Sequence, residues 1–152
     1  LSQLAALCAN ATALFSWILQ CDSILLLRKK LMVGANDYWH NHYIFEKHSA
    51  YREKMLGTAM CDNIIINSII PLLYTYGKIV PDSNVLRKAI KWLEQMPAEN
   101  NHLIRGWKRI GVTVKKAAGS QALTELKKQY CDQRKCLECE IGKHLLKQEG
   151  PD

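Results

Sequence analysis

Apolar side chains return along this chain every third or fourth position, the spacing that places them on one face of a helix. Leu4, Leu7, Cys8, Ala11, Leu14, Phe15 and Ile18 form the clearest such series, and Ser2 stands where an N-cap is wanted. Asp22 or Ser23 caps a second predicted helix through Leu27 and Leu31, with Gly34 positioned to end it in a left-handed conformation. Asn36 or Asp37 caps a third, carrying Tyr38, Trp39, His42, Tyr43 and Phe45, an aromatic cluster expected in the core. A long apolar helix is predicted from Arg52 to Tyr76, through Leu56, Met60, Ile64, Asn67, Ile70 and Leu73. Pro71 has no N–H to offer the Asn67 carbonyl, which predicts a kink there and makes Asn67 a buried, hydrogen-bonded structural polar residue.

Pro81-Asp82-Ser83 reads as a turn and cap before a helix marked by Val85, Leu86, Ala89, Ile90, Leu93 and Met96, stopped by Pro97, with Arg87, Lys88 and Lys91 outward. The next helix, from about Glu99 to Ile110, is expected to bury Leu103, Ile104 and Trp107 and to expose Arg105, Lys108 and Arg109, with Gly111 as its stop. Another starts at Ser120 and turns Leu123, Leu126 and Tyr130 inward, and a short last helix ends near Lys147. Only Val112-Thr113-Val114 is β-like, too short for a sheet without partners. The pattern therefore predicts an all-α fold, an irregular multi-helix bundle of about seven or eight helices forming a single domain over residues 1–152.

Composition agrees with a folded domain: 48% hydrophobic and 23% charged residues, with eight Gly and four Pro, belong to a globular protein with a real core. The longest uncharged stretch, Asn63 to Gly77, is too short and too polar to span a bilayer. With Leu1 first and no basic segment before an apolar run, the expectation is a C-terminal fragment of a longer, cytoplasmic protein. The net charge of +7 is uneven, with six Lys and Arg against five Asp and Glu in residues 1–77 and fifteen against nine in residues 78–152. That asymmetry points to nucleic acid or an acidic partner for the second half.

The clearest candidate chemistry is Cys131-Asp132-Gln133-Arg134-Lys135-Cys136-Leu137-Glu138-Cys139, three of the six cysteines within nine residues. Thiolates suit Zn²⁺ or an iron-sulfur cluster, and a C-x2-C step lets two sulfurs reach one metal. His144 is the nearest fourth ligand, with Cys61 or His42 reachable only through the fold. The open alternatives are that Cys136 and Cys139 face the core from a helix as small hydrophobes, or that a disulfide forms. Ile110-Gly111-Val112-Thr113-Val114-Lys115-Lys116-Ala117 is similar to a degenerate helix-hairpin-helix DNA-backbone motif, with Thr113 in place of its second glycine. No Ser-His-Asp order, phosphate-cradling loop, metalloprotease motif or catalytic carboxylate pair occurs, and His42 and His48 read as structural.

Several stretches resemble one family: Leu4-Ala5-Ala6-Leu7, Leu14-Phe15-Ser16, Asp37-Tyr38-Trp39 with His42-Tyr43, Asp62 to Asn67, Ser120-Gln121-Ala122-Leu123, and Tyr130-Cys131 through Cys136-Leu137-Glu138-Cys139-Glu140-Ile141-Gly142. They are similar to the C-terminal part of domain-of-unknown-function family 2851, a bacterial family found mainly in Bacteroidetes. The resemblance implies longer proteins whose N-terminal part is somewhat like a restriction-endonuclease-type nuclease core, so that the present chain is a helical accessory domain positioning nucleic acid. Three readings follow. Arg105, Lys108, Arg109, Lys115 and Lys116, with Lys127 and Lys128, contact phosphates; or Cys131, Cys136, Cys139 and His144 hold zinc or an iron-sulfur cluster; or the domain packs on the rest of its protein or on a second copy as a homo-oligomer. No membrane partner is expected.

Overall fold

The computed structural model describes residues 2–9 and 12–148. Among the described residues the fold is all-α apart from one two-stranded hairpin, and the chain divides into two compact units, Leu1–Trp92 and Leu93–Asp152. No single helix among the described residues is long and apolar enough to cross a membrane.

In the first unit the opening apolar series is two helices, α1 (Ser2–Ala9) and α2 (Leu14–Gln20), with Thr12 and Ala13 in a turn; Ala11, counted in that series, lies outside the described residues. Ser23 caps α3 (Ile24–Leu31) by accepting from the Leu26 N–H at 3.4 Å, and Leu27 and Leu31 are buried. Gly34 is not the left-handed stop, because α3 has already ended at Met32 and Gly34 forms an extended bridge opposite Met55. Bonds from Ala35 N–H to the Lys54 carbonyl at 2.8 Å and from Leu56 N–H to the Val33 carbonyl at 2.9 Å flank that bridge and close the base of the excursion over residues 36–53.

Within the excursion Asn36 caps a short α4 (Asp37–His40), accepting from the Tyr38 N–H at 3.0 Å. The predicted continuation of α4 through Phe45 does not occur. The His42 ring stacks on Tyr38 at 4.0 Å and sets its Nδ1 2.7 Å from the Tyr38 carbonyl, taking the acceptor that the next helical turn needs. The aromatic and β-branched run Tyr43-Ile44-Phe45 then favours extended backbone, giving β1 (His42–Ile44) antiparallel to β2 (Lys47–His48). Glu46 turns the hairpin at φ 62°, its N–H donating to the Tyr38 hydroxyl at 3.1 Å. The β-like segment of the sequence, Val112 to Val114, is a loop instead.

The long apolar stretch is α5 (Thr58–Ile64), a π-helical turn (Ile65–Ile69) and α6 (Ile70–Ile79). Its buried positions include Cys61, Ile65, Ile69, Leu73 and Gly77, spaced by four throughout. In an α-helix a spacing of four drifts by about 40° per step, and the wider π turn takes the drift back. Asn67 is consequently exposed rather than buried, its amide donating to the Asn63 carbonyl at 3.2 Å, and Met60 is exposed as well. Arg28 of α3 grips Asp62 of α5 with two guanidinium N–H groups.

Asp82 caps α7 (Ser83–Gln95), its carboxylate accepting from the N–H groups of Asn84 at 2.8 Å and Val85 at 3.3 Å. Val85, Ala89 and Trp92 are buried, Ile90 is exposed, and Lys88 does not face outward. Its ammonium donates to the carbonyls of Ile18 at 2.9 Å and Leu19 at 3.0 Å, sits 4.9 Å from the Trp92 ring centre and lies 3.9 Å from Asp22. Burial pulls its pKa below the usual lysine value, partly offset by Asp22.

The second unit holds α8 (His102–Arg109), α9 (Ala117–Leu126) with a second π turn (Lys127–Cys131), and α10 (Glu140–Gln148). Asn101 starts α8 by accepting from the Ile104 N–H at 3.0 Å, and Gly111 follows it at φ 88° as its spacing predicts. Ser120 is not a cap. It lies fully buried inside α9, accepting from the Glu99 N–H at 3.2 Å and donating to the Ala117 carbonyl at 3.0 Å, so that α9 begins three residues earlier than predicted. Tyr130, predicted inward, is exposed because the π turn shifts its register.

Two substitutions test these local causes by urea denaturation. Glu46→Gly is expected to raise stability by about 1 kcal/mol, since glycine adopts the left-handed conformation without steric cost. Lys88→Met is expected to lower it by about 1–3 kcal/mol by removing the donor to the Leu19 carbonyl and leaving the Ile18 carbonyl only the 3.3 Å bond from the Cys21 N–H.

Candidate functional site

The exposed cations of the second unit are organised by α8. Arg105, Lys108 and Arg109 stand three and four residues apart, hence on one side of the helix, and all three are exposed, while Leu103, Ile104 and Trp107 are half-buried. Arg105 is steadied by donating to the Asn100 carbonyl at 3.1 Å. Lys115 and Lys116 are exposed on the loop joining α8 to α9, and Lys116 reaches the Gln95 carbonyl at 3.5 Å.

That loop connects two successive helices. The N–H groups of Gly111 and Val112 turn back onto the Lys108 and Trp107 carbonyls at 3.1 Å, and Ala98 N–H bonds the Lys115 carbonyl at 3.1 Å. Between them, Thr113 and Lys115 are exposed and donate no backbone hydrogen bond among the described residues. Backbone donors left unspent beside lysine side chains are groups from which an anion can accept hydrogen bonds. On the other side of α8, His102, Leu103, Gly106, Trp107 and Ile110 line a groove of about 620 Å³ whose far rim is Lys127, Lys128, Cys131 and Asp132. Lys127 is paired with Asp132, which leaves Lys128 as the rim cation exposed to solvent.

Overall charge does not single this unit out. Divided at Trp92, the first unit carries ten Lys and Arg against six Asp and Glu and the second eleven against eight, so the asymmetry between sequence halves does not follow the compact units. Local arrangement, rather than net charge, is what distinguishes the α8 surface.

The cysteine segment is a surface turn. Cys131 and Cys136 are exposed and Cys139 is half-buried, none of them on a helix facing the core, and all six cysteines of the chain are free thiols. His144 is exposed on α10. The structure does not gather these four: among the described residues no group of three or more His, Cys, Asp or Glu side chains is placed to hold a metal ion. The intervening residues are spent on tight turns, Arg134 at φ 55° and Cys139 N–H bonding the Lys135 and Cys136 carbonyls at 3.2 and 3.3 Å. Gly142 has a packing reason: a Cβ there would lie 2.3 Å from the Cys136 carbonyl oxygen, so only glycine lets α10 start under this turn.

The model of a family described as protein of unknown function, DUF2851, matches residues 1–102, about two-thirds of the chain. The chain belongs to the DUF2851 family. The match covers the first unit and the approach to α8; the cysteine segment that carries much of the sequence resemblance lies beyond the residues matched to DUF2851. No curated protein and no solved structure matches the chain.

Sequence reasoning missed the aromatic surface of the first unit. The cluster expected in the core is largely outside it, with Phe45 74% and Tyr43 62% exposed. The signal available was Tyr43-Ile44-Phe45 itself, a β-favouring triplet inside a presumed helix. His42 stacks on Tyr38 and sets its Nδ1 2.7 Å from the Tyr38 carbonyl.

Thiol labelling checks the cysteine assignments. Cys8, Cys131 and Cys136 are expected to react in the native protein and Cys139 more slowly. Cys21 and Cys61 should react only on unfolding, Cys61 further protected because burial, followed by neighbouring Asp62, raises its pKa.

Proposed function

We propose that this protein is a helical accessory domain that binds nucleic acid by its phosphates, using α8, the Gly111 loop and the start of α9. One observation carries this reading: five exposed cations, Arg105, Lys108, Arg109, Lys115 and Lys116, lie on α8 and on the loop that follows it, where the Thr113 and Lys115 N–H groups donate to no backbone carbonyl among the described residues. Arginine and lysine beside free N–H groups supply the charge-assisted bonds that phosphate oxygens accept. Helices on both sides hold the loop, so little ordering entropy is lost on contact. Thr113, where the helix-hairpin-helix pattern has glycine, limits how closely a phosphate approaches the backbone and shifts the contact toward the side chains.

Such binding is dominated by release of counterions. Affinity for single-stranded and duplex DNA and RNA should fall steeply between about 50 and 200 mM salt. Arg105→Ala/Lys108→Ala/Arg109→Ala is expected to weaken binding to every sequence and to reduce the logarithmic salt slope by about 2–3, roughly one unit per lost contact. Absence of binding at low salt would overturn the reading.

A further inference from the structure

We propose that the hairpin excursion of the first unit is a base-stacking platform, and hence that the nucleic acid this protein takes is single-stranded. This deepens the reading above and rests on it.

Three aromatic rings in the excursion are mostly open to solvent: Tyr43 at 62%, Phe45 at 74% and Tyr51 at 69%. Side chains of this kind hold the largest apolar faces available to a protein, and leaving three of them outside on one short segment forgoes the burial that ordinarily stabilises a fold. They are not on a loose loop. The base of the excursion is closed by the Ala35 to Lys54 and Leu56 to Val33 bonds, and Arg52 N–H reaches the His40 carbonyl at 2.9 Å. Ser49 ties the return strand to the Asn41 carbonyl with its N–H at 2.6 Å and its hydroxyl at 2.9 Å. The Tyr38 hydroxyl holds Glu46 in its left-handed turn, which presents Phe45 next to it.

Each ring keeps most of its area exposed while a neighbouring group holds it in place. Phe45 meets Trp39 edge-on at 5.0 Å, and Tyr51 is tilted against His40 at 5.6 Å. The Lys54 ammonium lies 3.6 Å from the centre of the Tyr43 ring while donating to the His42 carbonyl at 2.6 Å, so it occupies one face of Tyr43 and fixes the other outward. Lys47 and Arg52 are exposed on the same excursion, as are Asp37, Glu46 and Glu53. Exposed aromatic rings held in place, one of them against a lysine, match a strand whose flat bases alternate with phosphates. Duplex bases have their faces covered by neighbours, so only unpaired bases reach such rings. A protein partner fits less well, because the cores of protein interfaces are depleted in lysine, and here Lys54 sits directly on Tyr43.

The test compares fluorescence anisotropy of a labelled mixed-sequence single strand with its own duplex, using the full chain, Tyr43→Ala/Phe45→Ala, Tyr43→Phe/Phe45→Tyr and Arg105→Ala/Lys108→Ala/Arg109→Ala. Because both rings are mostly exposed, the alanine variant should keep the parent's helical circular dichroism spectrum and a cooperative melt, with a midpoint lowered only by the loss of the Trp39 and Lys54 contacts. The parent is expected to prefer the single strand. The alanine variant should lose about tenfold or more of that affinity with its salt slope unchanged, the aromatic exchange should retain it, and the α8 variant should lose slope on both ligands. Equal binding of duplex and single strand by the parent, unaltered by removing the rings, overturns the stacking platform while the phosphate reading stands. Unchanged single-strand affinity with a smaller assembly mass for the alanine variant overturns it in favour of a second copy on the hairpin. No binding of either ligand by the parent at low salt defeats both readings.

Discussion

The first unit depends on keeping one apolar stripe straight through a helix whose sequence spaces that stripe by four. Cys61, Ile65, Ile69, Leu73 and Gly77 would wind steadily around a regular α-helix; the π turn over Ile65–Ile69 holds them toward the core. Pro71, which has no N–H to return to an earlier carbonyl, sits directly after the widened turn, where the regular ladder is already interrupted. Helix α5 packs against α3, whose Leu27 and Leu31 are buried, and Arg28 fixes the register of the two helices by its fork on Asp62. Residues 33–35 and 54–56, which follow α3 and precede α5, are then held close enough to pair and to close the excursion.

From that closed base, the excursion shows a few side-chain bonds outweighing a helical tendency. His42 takes the Tyr38 carbonyl, Tyr38 takes the Glu46 N–H, and the chain becomes a hairpin with aromatics outside. Both steps are local in sequence, yet the cost of a non-glycine residue at φ 62° is met only because the rest of the excursion is held in place. The second unit puts its exposed chemistry on a comparable support, a short loop between two packed helices with lysine and arginine around it. In each case rigid elements present groups that water would otherwise surround, which is how binding surfaces are commonly carried.

How far the candidate site was legible depended on how local its causes are. Arg105, Lys108 and Arg109 were placed correctly by helical spacing alone, and Gly111 by its position after the last apolar residue of α8. Cys131, Cys136, Cys139 and His144 are close in sequence, but among the described residues no three such side chains are placed to hold one metal ion, and the chain between Cys131 and Cys136 turns through left-handed Arg134. The glycine that ends the same pattern belongs to the passage of α10 under the Cys136 carbonyl, a contact that no spacing rule contains.

What the chain determined by itself is the helical class of the fold and most of its punctuation. Asn36, Ser23, Asp82 and Asn101 cap the helices they precede, since a cap needs only a side-chain oxygen and an N–H two or three residues away. Tertiary structure decided which faces are buried. Lys88 turns inward because the last carbonyls of α2 need donors, Ser120 is buried because Glu99 N–H needs an acceptor, and Asn67 is outside because the helix widens before it. Each of those outcomes depends on a partner distant along the chain or on a register summed over several turns, and a local pattern of apolar and polar residues records neither.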